Sequence, residues 1–374
     1  MNGSIGISVV GCGYWGPNLV RNFTSLPECH VKKVCDLAPE RLAYIQRLYP
    51  GVEVTTSFQA ILDEDDIDAV AIATPVSTHF SLAKQALQAG KHVLIEKPMA
   101  SSVAECQELM ELAATKDRII MAGHTFIYSS PVRLIKKIVD AGDLGDIYYI
   151  SSQRLNLGLF QKDINVTWDL APHDISIILF LIGQDPVSVN CRGNAHINAN
   201  VEDVTSLTME FPNKTFSMIQ SSWLDPNKVR RMTIVGSKKM LLYDDNEPLE
   251  KIKLYDKRVE TPPHYDTFAE FQYSYHYGDV HIPYIKQAEP LKILAQHFLE
   301  CILTGSKPET SGLEGMQVVK ILVAASESLK RGGGKVDLSK SPLLSSKTMP
   351  GYQDTENTAA VAEARGRQER LQEV

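Results

Sequence analysis

The sequence predicts an α/β chain in two parts: a doubly wound parallel sheet, then an α+β region with a mostly antiparallel sheet. Three observations predict it. Over residues 5–123, short β-rich runs alternate with helical segments. Beyond Gly123 the alternation stops, and several strands follow one another without an intervening helix. Residues 69–73 carry no polar side chain, as a strand buried on both faces requires.

Residues 5–10 read as the first strand, followed by a helix over 15–25, a strand over 31–35 and a helix over 39–48. That second helix opens with Pro39, a residue suited to a first helical turn. Residues 52–55 form a short third strand and 69–73 the fourth. The helix over 77–89 ends at Gly90, a C-cap signal. A strand over 92–95, a helix over 102–115 and a strand over 119–122 complete this part. Strands separated by such helices make right-handed βαβ units, and so a parallel sheet.

In the second part, a helix over 131–141 stops at Gly142, and a strand over 147–155 leads through a Gly- and Asn-containing loop to a helix over about 168–181. Strands over 186–194, 205–210, 215–222, 230–235 and 239–243 come next. Consecutive strands without crossovers pair antiparallel. Helices over 291–303 and 313–330 close this part, and Gly332, Gly333 and Gly334 then break the chain. Residues from about 339 onward are rich in Ser, Thr, Gln and Glu and read as a polar tail, with a short charged helix over 358–372. The expected domains are 1–123, 124–338 and the tail 339–374.

A chain of 374 residues, 44% hydrophobic and 22% charged, suits two soluble globular domains and excludes disordered, collagen-like and disulfide-scaffold classes. The net charge of −7 argues against a nucleic-acid partner. No apolar run approaches the roughly 20 residues that span a bilayer, so no membrane partner is expected. The N-terminus lacks a basic region with a cleavage site. The six cysteines show no CxxC or CxxH spacing, which points to reduced thiols in a cytoplasmic protein and to no metal site.

Gly11-Cys12-Gly13-Tyr14-Trp15-Gly16 fits the pattern GxGxxG, directly after a strand and at the opening of a helix. Gly11 allows the tight turn, Gly13 lets the backbone approach a pyrophosphate, and Gly16 lets helix and strand pack. Tyr14 and Trp15 share this loop and are candidate cofactor contacts. The helix start offers N–H groups and partial positive charge to phosphates. Asp36 lies 20 residues past Gly16, at the end of the second strand, where a carboxylate binds ribose hydroxyls and repels a 2′-phosphate. NAD is therefore expected rather than NADP, with Arg41 close by as the competing signal.

Glu96-Lys97-Pro98 sits at the carboxyl end of the fifth strand, where ligands of open α/β sheets bind. Glu96 is a candidate cofactor contact there. Lys97 is placed to reach both nicotinamide and a substrate hydroxyl, and a nearby positive charge would lower its pKa into a useful range. Pro98 is expected to be cis, so as to aim the lysine. Asp169 and His173 are four apart and share a helix face, with Pro172 read in a first helical turn. A carboxylate beside an imidazole is expected to orient it and raise its pKa. Thr74, Pro75 and His79 follow the fourth strand and face the cofactor in this reading; for His79 a structural role is the other reading. His124 marks the crossover between the halves and is a cleft-lining candidate. His30, His92, His196 and His297 read as structural. The aromatic-rich residues 264–284 read as a loop, with a substrate lid or an oligomer contact as the other readings.

Taken in order, GxGxxG, Thr74-Pro75…His79, residues 91–98 ending in Glu96-Lys97-Pro98, and Asp169-x-x-x-His173 resemble the Gfo/Idh/MocA oxidoreductase family over residues 5–338. The resemblance implies an N-terminal Rossmann domain and a C-terminal α+β domain. The large open sheet of the latter would join a homodimer or homotetramer. It also implies hydride transfer between NAD(P) and a sugar-like alcohol, with Lys97, Asp169 and His173 in the catalytic positions. Many members carry Arg or Asn shortly after the sixth strand, where this chain has Phe126-Ile127-Tyr128. The stretch from Arg154-Leu155-Asn156 to Asn165-Val166-Thr167 is similar to the branch acting on nucleotide-linked sugars such as UDP-N-acetylglucosamine, where a 3-hydroxyl is oxidised. Lys97, Arg154, Asn156, Asn165, Thr167 and His173 are then the candidate substrate contacts. A 3-ketosugar reductase, an inositol-type or polyol dehydrogenase and a non-catalytic NAD-binding regulator are the competing readings.

Overall fold

Strand β1 (Ile5–Val10) is buried at every position, and β4 (Ala69–Ile72) likewise. Residues with no polar face can only be central strands covered on both sides, which here means by helices. The computed structural model describes residues 4–161, 163–260 and 274–339. Around the two buried strands stand β2 (Cys29–Cys35), β3 (Glu53–Thr55), β5 (His92–Glu96) and β6 (Ile120–Gly123). The intervening helices are α1 (Gly16–Thr24), α2 (Pro39–Leu48), α3 (Gln59–Leu62), α4 (Val76–Gln88) and α5 (Val103–Thr115). The strand order is β3-β2-β1-β4-β5-β6, every pair parallel. The order reverses between β1 and β4, so their carboxyl ends diverge and leave a crevice for a ligand. The four-residue α3 was not anticipated; it is too short to show a periodicity.

Beyond β6, a 3-10 turn (Thr125–Tyr128) leads into α6 (Ser130–Asp140), β7 (Ile147–Leu155) and α7 (Val166–Ile182). The second sheet adds β8 (Ser188–Asn194), β9 (Val204–Glu210), β10 (Phe216–Ser222), β11 (Val229–Gly236), β12 (Met240–Asp244), β13 (Ile252–Glu260), β14 (Ser274–His281) and, past two further helices, β15 (Val336–Asp337). Among the described residues, nine strands make this sheet, in the order β14-β13-β12-β11-β7-β10-β9-β8-β15, and only β7 and β10 pair parallel in it. Helix α7 packs on the buried face, so alternate residues of β7 (Ile150, Ser152, Arg154) point inward.

Two expectations change here. Residues 274–281, read as loop, form β14, an edge strand exposed at nearly every position. It is held by its ladder to β13 rather than by a buried face, so it has no alternation to read. Residues 261–273, which include 264–273 of that stretch, and 340–374, which include the expected tail helix, lie outside the described residues. Pro172 lies in the second turn of α7, not the first, because the helix begins at Val166 with Asn165 as its N-cap. The missing Pro172 N–H releases the Trp168 carbonyl from the helical ladder.

Helices α8 (Pro290–Thr304) and α9 (Gly312–Lys330) follow the second sheet in sequence but return to the first. Arg21 of α1 donates to Glu289 at 2.9 Å, and the Ala122 N–H of β6 donates to the Thr310 carbonyl at 2.7 Å. A Cβ at Gly312 would lie 2.7 Å from the side chain of Met110 on α5, so this close approach needs glycine. Among the described residues, no helix is long and apolar enough to cross a membrane. All six cysteines are buried and free.

Candidate active site

The carboxyl ends of β1, β4 and β5 open on a cleft of about 850 Å³. Gly11, Gly13, Trp15, Asp36, Thr74, Pro75, Glu96 and Lys97, all anticipated, line it. Gly11 has φ +94°, and a Cβ there would press on the Ala73 carbonyl at 2.6 Å. A Cβ at Gly16 would overlap the Gly11 carbonyl. A Cβ at Gly13 would meet nothing within 4 Å, so the backbone is bare toward the cleft. No side chain caps the start of α1; Pro17 has no N–H and the Asn18 N–H donates to the Trp15 carbonyl at 3.0 Å, so an anion there would meet the Gly16 N–H. Bare backbone, an uncapped helix start and this volume fit a dinucleotide.

Asp36 is 8% exposed. The Cys12 N–H donates to its Oδ2 at 2.5 Å and the Ala38 N–H to its Oδ1 at 2.8 Å, while the Arg41 guanidinium stands 3.6 Å away. The carboxylate thus ties the glycine loop to the end of β2. Tyr14 is 82% exposed and meets only the edge of Trp15 among aromatic rings, so it lies outside the cleft lining. His79 also departs from expectation. It is buried, and its nitrogens stand 2.8 Å from the carbonyls of Pro98 and Thr74. It clamps two loops of the cleft instead of facing it, and burial pushes its pKa down.

Lys97 follows β5 directly and precedes a cis peptide bond to Pro98, as expected. Its Nζ donates to the Asp169 carbonyl at 2.8 Å and stands 3.8 Å from the Asp169 carboxylate. The lysine therefore crosses from the first sheet to the start of α7. The Asp169 carboxylate accepts the Trp223 indole N–H at 3.0 Å. Burial lowers the Lys97 pKa and outweighs the opposing pull of Asp169 and Glu96. Burial likewise raises Glu96 to about 7.

The expected Asp169–His173 pair is absent. The Asp169 side chain faces Lys97 and Trp223, and His173 Nδ1 is sealed without a hydrogen-bond partner. Burial first, then the charges of Lys97 and Arg154, holds the His173 pKa well below its usual range rather than above it. That direction favours the uncharged imidazole. Phe126 packs its ring at 4.9 Å from the His173 ring.

The expected substrate contacts divide. Asn165 caps α7, its Oδ1 accepting the Trp168 N–H at 3.2 Å and its Nδ2 donating to Glu202 at 2.8 Å. Thr167 is 1% exposed and donates to Thr205 at 2.8 Å. Both spend their polar atoms inside the protein, so neither is placed to meet a substrate. Arg154 turns its fork into Asp174, with Nε at 2.6 Å and Nη2 at 3.2 Å, and lies over Phe126 at 4.9 Å. Asn156 is half-buried beside Gly158, its N–H donated to the Ser222 carbonyl at 3.2 Å. Trp168 lines the cofactor cleft and donates to Ser326 of α9 at 2.8 Å.

Three contributors escaped sequence reasoning. Trp223 follows β10, packs on Gly158 and holds Asp169; nothing local marks it. Phe126 stood in the segment noted for its departure, yet its contact with His173 crosses 47 residues. Asp174 adjoins the motif, and its buried neighbour Arg154 comes from β7.

Residues 5–124 match the model of an oxidoreductase family with an NAD-binding Rossmann fold, and residues 132–242 match a GFO/IDH/MocA C-terminal domain. The UDP-N-acetylglucosamine 3-dehydrogenase of Acidithiobacillus ferrooxidans is 31% identical over 234 residues, 60% of this chain and 69% of that protein. The uncharacterized oxidoreductase YrbE of Bacillus subtilis is 23% identical over 344 residues, 89% of this chain and 96% of that one. The solved structure of UDP-N-acetylglucosamine 3-dehydrogenase GnnA from A. ferrooxidans has a TM-score of 0.73 at 24% identity, covering 88% of this chain and 98% of that one. That likeness shows the shared two-part fold. The chain belongs to the Gfo/Idh/MocA family of oxidoreductases.

Proposed function

We propose that this protein is an NAD-dependent dehydrogenase that oxidises a sugar hydroxyl to a ketone, its substrate the C3 hydroxyl of a nucleotide-linked hexose such as UDP-N-acetylglucosamine. The observation that carries this reading is the bridge from Lys97, at the carboxyl end of β5, to Asp169 of α7, with His173 one turn further on. When bound, the cofactor supplies the hydride acceptor. The chain supplies the rest. His173 takes the hydroxyl proton, and Lys97 donates a hydrogen bond to the oxygen as negative charge develops. Asp169, held by Trp223, keeps the lysine in place. The nucleotide-sugar assignment rests on likeness to the A. ferrooxidans enzyme.

Gly11, Gly13 and the start of α1 would hold the pyrophosphate, and Asp36 the ribose. A carboxylate that already accepts two backbone N–H groups has no room for a 2′-phosphate, which supports NAD. The outer face of the second sheet displays Tyr149, Ser151, Phe216, Met218 and Thr233 side by side. We read it as the face that joins copies of the chain.

The test is nicotinamide absorbance, followed with NAD and NADP against UDP- and dTDP-sugars beside free inositols and glucose. One arm contains 2-oxoglutarate to recycle cofactor that stays bound. Signal with NAD and nucleotide sugars alone supports the reading. Signal with free polyols alone overturns the substrate class, and signal with none overturns the activity.

A further inference from the structure

A second cavity of about 850 Å³ lies apart from the cofactor cleft, walled by the 3-10 turn after β6, by α7 and by the start of α9. Ser176 and Phe180 line it, one and two turns beyond His173 on the same face of α7. His124 lines it as well, although only 1% exposed. Neither nitrogen of His124 meets a hydrogen-bond partner, and neither does Nδ1 of His173. Buried nitrogens are ordinarily paired, and those that are not point to a catalytic role or a bridging water. Three of them fall on two histidines joined through one turn: Phe126, two residues past His124, packs its ring 4.9 Å from that of His173, and His173 feels the charge of His124. Arg154 and Arg230 act on His173 as well. Nothing in the cofactor cleft uses His124, which is not among its lining residues.

We infer that His124 carries the proton between His173 and solvent in the second cavity. The inference rests on His173 being the base of the proposed dehydrogenase. The substrate O–H bond breaks and its proton passes to His173. The C–H bond breaks with its electron pair going to the nicotinamide cofactor, leaving the ketone. Protonated His173 then releases a proton from Nδ1 over an intervening water to one nitrogen of His124, since the two rings share no direct hydrogen bond. His124 releases a proton from its other nitrogen into the second cavity, whose rim carries Lys136, Asp185 and Glu314 and admits water. One proton leaves per alcohol oxidised, so atoms and charge balance. His124 suits a shuttle because burial, with Lys97 adding to it, holds its pKa near 4, so it does not retain the proton.

One arm of the test needs no substrate. In protein labelled with ¹⁵N at histidine and loaded with NAD, the exchange of the His173 ring proton with water is measured by NMR. His124→Phe is expected to slow it at least tenfold, and so is His124→Gln, which keeps hydrogen bonds but cannot shuttle, should the Phe variant fail to fold. An unchanged rate overturns the relay. The second arm uses turnover of UDP-N-acetylglucosamine. His124→Gln is expected to lower kcat about tenfold with KM unchanged and to enlarge the solvent isotope effect, and added imidazole is expected to restore His124→Gly. Full turnover by His173→Phe would overturn the base assignment instead, whatever the His124 variants do.

Discussion

Asp169 and Asp174 stand five residues apart on α7, and each meets a cation from a different element. Around Asp174 the pairing is complete. Arg154 offers two parallel hydrogen bonds, Ser152 adds a third at 2.8 Å, and both charged side chains are under 10% exposed. Around Asp169 it is not. Lys97 stands 3.8 Å from the carboxylate, and Asp169 remains 27% exposed. A planar guanidinium locks a carboxylate bidentately, whereas an ammonium is a point charge with three donors on a flexible stem. The saturated pair holds β7 to α7. The unsaturated one keeps Lys97 donors available to a third group, which is what a reacting hydroxyl needs.

The contrast can be broken at either end. Lys97→Ala is expected to lower kcat about 10³-fold, within the range of acid–base groups, while the melting midpoint stays close to wild type. A variant that keeps its turnover removes the lysine from the chemistry. Asp174→Ala leaves Arg154 buried and unpaired, and a stability loss of about 3–5 kcal/mol in urea unfolding is expected. A loss below about 1 kcal/mol, the worth of an exposed ion pair, would show that the second pair is no lock.

Trp223→Phe keeps the ring but deletes the N–H held by Asp169. A hydrogen bond to a charged group is worth about 1.5 kcal/mol or more, so a fall of about tenfold in kcat/KM is expected, with substrate binding less affected than kcat. An equal change in melting midpoint and no kinetic effect would make Trp223 a packing residue only.

The smallest effect concerns Glu96. Its pKa is about 7 in the folded protein and 4.5 otherwise. Between these values the folded state holds a proton that the unfolded chain has lost, so stability falls as pH rises through that window. Glu96→Gln should flatten this slope, gaining on wild type at pH 8 relative to pH 5 in thermal unfolding. Parallel curves would mean that Lys97 neutralises the carboxyl fully.

Where a function needs backbone geometry, the residues that provide it are neighbours in sequence. The glycines of the cofactor loop, Asp36 at the next strand end and Glu96-Lys97-Pro98 all declare themselves by position after a buried strand, and the two-sheet architecture follows from where helices cease to alternate. Polar partners are different. Asn165, Thr167 and Arg154 read as substrate contacts because their stretch resembles the nucleotide-sugar branch, yet Glu202, Thr205 and Asp174 claim them from 20 to 38 residues away. His79 was drawn off by two carbonyls, and Asp169 by Lys97 and Trp223 instead of by His173. Periodicity and turn chemistry act over a few residues, and through them the elements, the sheet classes and the cofactor loop are legible from the residues alone. A buried polar atom takes whichever partner packing brings within about 3 Å, so long-range packing sets which charges hold the fold and which are left to act.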